Sequence, residues 1–445
     1  MSRVASSSAG LRTFSPSRPR GSMDKGHGGH RASSHQRATT SEGQTMTMSS
    51  TLTSRRSALA SALALALSSS TGDARAGTAE ASRVFEQRFP VLFRPFLGRG
   101  YRETTKREIV PDVIWALEQN IELGPLETTI RCVVIKLRDG KLWVHAPLAP
   151  TGEFFDMVES CGDGTVNAVA HVVVPTYALE HKVFTKDALK RWRSATLATA
   201  PGQFTFPLRI ADDVVFGKRV DYVLSTSDFE SGVPWKDEIQ FETLRAGTFD
   251  VGSNSQTIFE TAFFHKESNT LIVTDALAQI PLEPPEANSV DKLLVVSQRS
   301  TADPVPEDTP EARQTGWEKT ALLVNYFFPE HEEVDPAHPG VVVWTDGWHE
   351  NFQALAGRLL VPPVVRTLLY AQDPNSVKDW VRRVSSRWEF TRVIPAHWEA
   401  PVACDVESFK RAFAFLDDDS IDAFNAADLE RGLTPVANAV LKRKT

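Results

Sequence analysis

The chain has 445 residues, 41% of them apolar, which is enough to bury one large core or two smaller ones and excludes a fibrous or wholly disordered protein. Its formal charge of −7 is unevenly distributed: residues 1–76 hold ten Lys and Arg against three Asp and Glu, whereas 77–445 hold 39 basic and 53 acidic residues. An acidic body without a basic, aromatic-rich patch argues against nucleic-acid binding. Cys132, Cys161 and Cys404 are too few and too scattered for a thiolate zinc cluster or a disulfide framework.

Residues 1–54 have the composition of an organelle transit peptide. They are rich in Ser, Arg, Thr and Gly, with Asp24 and Glu42 as the only acidic residues, and such a segment cannot build a core. We therefore expect this part of the chain to be unfolded.

A signal-like segment follows at residues 55–76. Arg55 and Arg56 precede the ten-residue apolar run Ala58–Leu67, and Ala74-Arg75-Ala76 is a small-x-small cleavage pattern. Because a membrane-spanning helix needs roughly 20 apolar residues, this run predicts a cleavable signal and not an anchor. The mature protein is expected to start near Gly77 and to contain no transmembrane segment.

The order of the two segments predicts a plastid address. A charged pair, a short apolar run and an Ala-x-Ala exit resemble a twin-arginine signal. Behind a transit-like segment, this resembles the bipartite address of thylakoid-lumen proteins. A transit peptide with an incidental Arg pair, or an ordinary secretory signal leading to secretion or another organelle, are the alternatives that stay open.

The rest of the chain is expected to form a layered α/β domain at 108–425, after a lead-in at 77–107 and before a C-terminal helix at 426–445. Short apolar runs alternate with helical patterns, and residues 298–340 are Pro-rich, acidic and weakly periodic, as in an insertion or mobile cover with one helix around Trp317–Asn325. Predicted strands are Thr128–Leu137, Leu142–His145, Ala170–Val174, Ala195–Ala198, Tyr222–Leu224, Gln240–Ala246, Thr257–His265 and Thr270–Asp275. Predicted helices are Thr151–Ser160, His181–Arg193, Asn351–Tyr370 with a break at Pro362-Pro363, Ser376–Arg387 and Val406–Phe415.

Four apolar stretches end in residues able to bind a metal or a proton. These residues are His145, the pair Glu180-His181, Asp275 and His397. Side chains at the ends of separate strands converge in α/β layers, so we expect them to lie close together. The two carboxylates with two of the three imidazoles, and without thiolates, suit one zinc, iron or manganese ion in an open, catalytic-type site.

Each of these residues also has a purely structural interpretation. A buried His such as His145 or His397 is more often hydrogen-bonded in a core than bound to a metal. Asp275 follows Thr274 and is also suited to capping a turn, and Glu180 near a helix start is favoured by the helix dipole. The four stretches together therefore carry the metal prediction, and no single one of them does.

The order of these stretches resembles the metallo-β-lactamase superfamily, and more narrowly its branch named domain of unknown function 4336. The resemblance rests on GKLWVHAPL, HVVVPTYALEHKVF, ETAFFHKESNTLIVTDAL and FTRVIPAHWEAPV, and covers about 108–297 and 355–418. It implies a four-layered αββα sandwich. It also implies that the counterparts of Glu180, His181, Asp275 and His397 hold the second of the superfamily's two metal ions.

The departures from the superfamily's HxHxDH motif imply a degenerate site. That motif falls on Thr176-Tyr-Ala178-Leu-Glu180-His181, so its first two His are absent. The superfamily's early Asp falls on His145, and its middle His falls near Gln256. On this resemblance a two-metal hydrolase is excluded and a one-metal site is retained.

Two functions remain open from the sequence. The first is a non-catalytic or scaffold-like member that binds an unidentified small molecule or protein. The second is a mono-metal hydrolase of a small ester, thioester or phosphodiester, with Asp275 as ligand and base and His145 as a partner behind the ligands. Fold resemblance alone does not decide between them.

Overall fold

The computed structural model describes residues 81–87, 98–203, 210–225, 232–251, 254–418 and 424–440. The predicted targeting region 1–76, its cleavage site and the start at Gly77 lie outside these residues, as does the basic end of the predicted C-terminal helix. None of the helices in the described part of the chain combines the length and the hydrophobicity needed to cross a membrane.

The described part of the chain contains the following strands. In chain order they are β1 (Val84–Gln87), β2 (Gly98–Tyr101), β3 (Thr105–Val110), β4 (Ile114–Leu123), β5 (Leu126–Lys136), β6 (Leu142–His145), β7 (Val169–Val174), β8 (Thr196–Thr199), β9 (Tyr222–Val223), β10 (Ile239–Val251), β11 (Asn254–His265), β12 (Thr270–Ile272), β13 (Ala278–Gln279), β14 (Glu332–Val334), β15 (Val342–Trp344), β16 (Leu359–Leu360), β17 (Arg392–Ile394) and β18 (Val402–Ala403).

Helices dominate the second half. They are α1 (Gly152–Glu159), α2 (Thr185–Arg191), α3 (Asp212–Phe216), α4 (Val290–Ser297), α5 (Pro310–Tyr326), α6 (Trp348–Leu355), α7 (Pro363–Leu368), α8 (Pro374–Arg387), α9 (Val406–Ala412), α10 (Ala426–Asp428) and α11 (Thr434–Val440). Short 3₁₀ turns lie at Leu179–His181, Tyr370–Gln372 and Ala414–Leu416, and Leu429–Leu433 form a π-helical turn.

Two mixed sheets form the centre of the molecule. The larger sheet has the order β3-β4-β5-β6-β7-β8-β9, antiparallel up to β6 and parallel from β6 onward. The smaller sheet has the order β10-β11-β12-β17-β18, with β12 and β17 parallel. The parallel strands β7 and β17 end in buried apolar residues, Val172–Val174 and Val393–Ile394, as strands covered on both faces should.

The core clusters show how these sheets are layered. One cluster joins residues of both sheets, including Trp143, Val173, Phe263 and Ile394, so the sheets pack face to face. A second lies between the outer face of the larger sheet and α1 and α2, and a third lies between the smaller sheet and α7, α8 and α9. The order helix, sheet, sheet, helix confirms the predicted αββα sandwich.

The predicted insertion contains a packed helix. Thr309 caps α5 by accepting a hydrogen bond from the Ala312 N–H, and Pro310 occupies the first turn, where its missing N–H costs nothing. Trp317 and Tyr326 of this helix are buried against Leu360 and Trp398 of the sandwich. The helix is longer than the predicted Trp317–Asn325.

Other predictions are confirmed or corrected at the level of single elements. The strands predicted at Thr128–Leu137 and Leu142–His145 pair as the hairpin of β5 and β6, and those predicted at Thr257–His265 and Thr270–Asp275 pair as the hairpin of β11 and β12. The helix predicted over Asn351–Tyr370 is divided near its predicted break at Pro362-Pro363: α6 ends at Leu355, α7 starts at Pro363, and the stretch between them, which includes the short strand β16, is not helical. The helix predicted from His181 starts at Thr185, since His181 lies in a 3₁₀ turn. Strands β1 to β4 were not predicted.

Candidate metal centre

Four side chains meet where strands of both sheets end. Glu180 and His181 lie in the 3₁₀ turn after β7, Asp275 lies three residues after β12, and His397 lies three residues after β17. Each offers one ligand atom, and these four atoms all lie within 4.8 Å of one another. Among the described residues they form a group able to hold a metal ion, made of the same four residues that the strand-end pattern indicates.

Asp275 lies between the two imidazoles. Its Oδ1 is 3.3 Å from His181 Nε2 and 3.3 Å from His397 Nε2. His181 is fully buried, whereas the side chains of Asp275 and His397 keep 19% and 14% of their accessible surface. The cluster is therefore deep but reachable from solvent.

The backbone fixes the protonation of His397. His397 Nδ1 lies 2.7 Å from the Thr129 carbonyl oxygen on β5, and a carbonyl only accepts, so Nδ1 carries the proton. In the neutral ring Nε2 is then a lone pair, and it faces the carboxylate of Asp275. Two acceptors at that distance repel each other unless a cation, either a proton or a metal ion, lies between them.

The pKa of His181 also indicates that a cation is required beside Asp275. Burial alone would lower the pKa of this imidazole, but Asp275, with Glu180 and Glu260 nearby, outweighs burial and raises it to about 9. Burial would likewise raise the pKa of Asp275, but His181 and His397 hold it well below its usual value. In the metal-free protein a proton on His181 thus compensates the buried carboxylate.

The donor distances fit a small divalent ion. Two ligands of a tetrahedral zinc ion with bonds of 2.0–2.1 Å lie about 3.3 Å apart, which is the separation between Asp275 Oδ1 and each imidazole nitrogen. The residues therefore suit a bound ion without rearrangement of these two pairs.

His145 is a buried neighbour of His181. It is 1% exposed at the end of β6, where it stacks on Trp143 and meets the edge of Phe263. Burial, with a smaller effect of His181, lowers its pKa to about 3, and within the described residues neither ring nitrogen has a hydrogen-bond partner. His145 thus adjoins the site but supplies no ligand to the cluster.

Arg131 was missed by the sequence analysis, although it supports the loop that carries His397. Its guanidinium is fully buried and donates to the carbonyl oxygens of Pro395 and Trp398, on either side of His397. It also pairs with Glu118 at 2.7 Å. Arg131 lies on the same face of β5 as Val133 and Ile135, which pack between the two sheets, and a charged side chain is rarely buried there unless it is paired.

Glu260 and Tyr370 were also missed. Burial and the neighbouring Asp275 raise the pKa of Glu260 to about 7, although hydrogen bonds from Thr274 oppose this shift. The buried Tyr370 hydroxyl has no partner among the described residues, and burial together with Glu260 and Asp275 raises its pKa well above the ordinary value. Both residues therefore lie close behind the ligands.

The family is shown by a match over most of the chain. The family described as "Domain of unknown function (DUF4336)" matches residues 111–415. The chain belongs to this family. The match includes all four ligand candidates of this DUF4336 protein and confirms the resemblance seen in its sequence. No protein of curated function matches the chain.

Solved structures similar to this DUF4336 protein share little of its sequence. A metallo-β-lactamase from Pontibacter korlensis is 9% identical and matches over 71% of this chain and 100% of its own, with a TM-score of 0.33. A flavo di-iron protein mutant from Thermotoga maritima is 11% identical over 70% of this chain and 62% of its own, at 0.37. A diflavin flavoprotein fragment from Nostoc is 9% identical and matches over 75% of this chain and 99% of its own, with a TM-score of 0.37. At this level of similarity, none of them indicates what this chain acts on.

Proposed function

We propose that this DUF4336 protein is a metallo-β-lactamase-like protein that binds one divalent metal ion through Glu180, His181, Asp275 and His397. One observation carries the proposal: two imidazole nitrogens point at the same carboxylate oxygen at the spacing of ligands around a single ion. The lone pair of His397 that faces Asp275 also fits a bound ion, because a metal ion between these two acceptors relieves their repulsion, as a proton does in the metal-free protein.

Zinc, iron and manganese are the proposed occupants. Imidazole suits zinc and iron, carboxylate suits manganese, and the cluster contains no thiolate that would favour copper(I) or an iron–sulfur group. Cys132, Cys161 and Cys404 are buried thiols outside the cluster.

The site is proposed to be degenerate and without hydrolytic turnover. Thr176 and Ala178 stand where the superfamily resemblance places two histidines, and the Thr176 hydroxyl donates to the Phe259 carbonyl oxygen instead of facing the cluster. Four protein donors also fill the tetrahedral set of a zinc ion, in contrast to the open, catalytic-type site expected from the sequence, because catalytic zinc sites keep one position for water. We therefore propose a role in binding an unidentified small molecule or protein instead of hydrolysis.

A mono-metal hydrolase of a small ester, thioester or phosphodiester is the second candidate. The accessible surface that remains on Asp275 and His397 favours it, since a substrate can reach this side of the cluster. A bound ion would lower the pKa of a water molecule and polarise the scissile group. In this case Asp275 would orient that water and accept its proton.

Metal content and turnover, measured on the same preparations, test both candidates. We expect about one ion per chain in the wild type and a large loss in His181→Ala, with the buried His265→Ala as control, because His265 bonds Ser268 and lies outside the cluster. Hydrolysis that disappears with chelator and in Asp275→Asn would select the hydrolase. A wild type that binds metal without turnover would select the binding role, and a wild type without metal would overturn the proposal.

We further propose that the protein is targeted to plastids, with the thylakoid lumen as its destination. The support is the composition of residues 1–76 and the Ala74-Arg75-Ala76 cleavage pattern. N-terminal sequencing of the protein from its native compartment is expected to show a start near Gly77. A start before Arg55 would contradict the lumenal address.

A further inference from the structure

Glu260 is a buried carboxylate that touches the ligand loops without being a ligand candidate. It lies on β11, is 4% exposed and is absent from the four-residue cluster. Buried carboxylates are costly unless they are hydrogen-bonded or compensated. The hydrogen bonds of Glu260 therefore indicate its structural role.

The first contact holds the residue before Asp275. Glu260 Oε1 accepts a hydrogen bond from the backbone N–H of Thr274 at 2.9 Å and a second one from the Thr274 hydroxyl. Strand β12 ends at Ile272, so the Thr274 N–H lies beyond the regular sheet ladder. The Glu260 side chain thus replaces a missing strand partner and sets the direction in which the chain presents Asp275.

The same stretch of β11 contacts the loop that leads to Glu180 and His181. Glu260 forms an isolated β-bridge with Thr176, and the Thr261 N–H donates to the Pro175 carbonyl oxygen at 3.0 Å. The loop after β7 is therefore fastened to the strand from which Glu260 projects.

The third ligand loop joins through Thr274. Its carbonyl oxygen accepts a hydrogen bond of 3.2 Å from the backbone N–H of Ala396, the neighbour of His397. Thr274 thus connects Glu260 on one side to the His397 loop on the other. Through two residues, Glu260 and Thr274, the loops carrying Glu180-His181, Asp275 and His397 are all linked.

We infer that Glu260 is a positioning residue of the metal centre, which holds Asp275 in its ligand geometry through its two hydrogen bonds to Thr274. The inference rests on the proposed metal binding. A residue of this kind does not bind the ion, but its loss lets the ligand reorient. Removing such supporting contacts typically weakens metal affinity about 10–100-fold.

The test compares zinc affinity in five full-length proteins: the wild type, Glu260→Leu, Glu260→Gln, Thr274→Val and Glu242→Leu. Glu242 is the matched control, because it is a 3% exposed carboxylate on the neighbouring strand β10 that bonds Arg383 and Arg387 and not the ligand loops. Zinc dissociation constants come from competition with a chromophoric chelator, and cobalt(II) absorption reports the ligand geometry. Urea unfolding of the metal-free proteins measures stability separately.

Glu260→Leu is expected to weaken zinc binding about 10–100-fold and to change the cobalt spectrum. Glu260→Gln can still accept both hydrogen bonds and is expected to recover most of the affinity. Glu242→Leu should lose stability and keep its affinity. If Glu260→Leu does not fold, Thr274→Val decides, because it removes only the hydroxyl donor and should weaken binding in the same direction.

Two kinds of failure are distinguishable. A wild type that binds no zinc would overturn the proposed function and this inference with it. A wild type that binds zinc, with Glu260→Leu or Thr274→Val binding equally well, would overturn the inference alone. Equal weakening in Glu260→Leu and Glu260→Gln would assign the effect to charge and would contradict positioning by hydrogen bonds.

Discussion

Replacing Arg131 by Met should destabilise the fold and the His397 loop together. The guanidinium is 1% exposed and donates to two carbonyl oxygens, those of Pro395 and Trp398, while it pairs with the 80% buried carboxylate of Glu118. Trp398 itself has φ of 55°, a conformation that non-glycine residues adopt only when their surroundings impose it. Arg131 contacts this residue from β5 by donating to its carbonyl oxygen.

The size of the loss follows from what is left unpaired. Each buried carbonyl without a donor costs about 1–3 kcal/mol, and breaking a buried ion pair by removing one partner costs about 3–5 kcal/mol. These costs overlap, because one side chain makes all three contacts. We therefore expect Arg131→Met to lower the free energy of unfolding by about 3–5 kcal/mol.

Urea unfolding of the metal-free protein measures this loss as a shift of the midpoint at constant slope. Arg107→Met is the matched control, because Arg107 pairs with the same Glu118 at 3.4 Å and donates to the Ala400 carbonyl oxygen of the same loop, but is 54% exposed, and exposed pairs contribute about 0–1 kcal/mol. A loss below about 1 kcal/mol in Arg131→Met, or a loss no larger than that of Arg107→Met, would refute the reasoning.

Three further predictions concern protons and packing. Zinc affinity should rise as the pH increases toward 9, by about tenfold per pH unit at most, because His181 has a pKa of about 9 and must lose its proton before the metal binds. A pH-independent affinity measured by titration calorimetry would contradict this. The pKa of His145 is lowered from 6.5 to about 3, so the neutral ring contributes stability above pH 6.5, and this contribution is lost as the pH falls toward 3. His145→Phe should therefore lose up to about 3 kcal/mol less stability than the wild type between pH 7 and 4. An equal loss of stability in both proteins, measured by urea unfolding at each pH, would be the negative result. A Cβ on Gly316 would lie 2.0 Å from the Leu293 carbonyl oxygen, so Gly316→Ala should push α5 away from α4. We expect the free energy of unfolding to fall by about 1–3 kcal/mol. An unchanged unfolding midpoint would show that the helices separate freely.

The ligand candidates could be predicted from the sequence because their signals are local. Each follows a short apolar strand, and strand ends of an α/β sandwich meet at one edge, so Glu180, His181, Asp275 and His397 converge. His145 has the same local pattern but ends a strand deeper between the sheets, next to Trp143 and Phe263. Depth across the two sheets is not encoded in the pattern of one strand.

The supporting residues could not be predicted, since their role depends on contacts far along the chain. Arg131 lies 264 residues from Pro395, and Glu260 and Tyr370 sit in stretches that resemble an ordinary half-buried strand and a helix end. The hairpin of β4 and β5 was only half predicted, because β4 contains polar residues such as Gln119 that are buried by hydrogen bonds and not by hydrophobicity.

Anomalous diffraction at the zinc edge, from crystals of the mature chain grown with zinc, tests the central claim most directly. We predict a single peak at bonding distance from His181 Nε2 and His397 Nε2, with Asp275 and Glu180 oxygens completing the set at about 2.0–2.2 Å. Zinc at another position, or a map without a peak beside these four side chains at saturating zinc, would contradict a one-metal site in this DUF4336 protein.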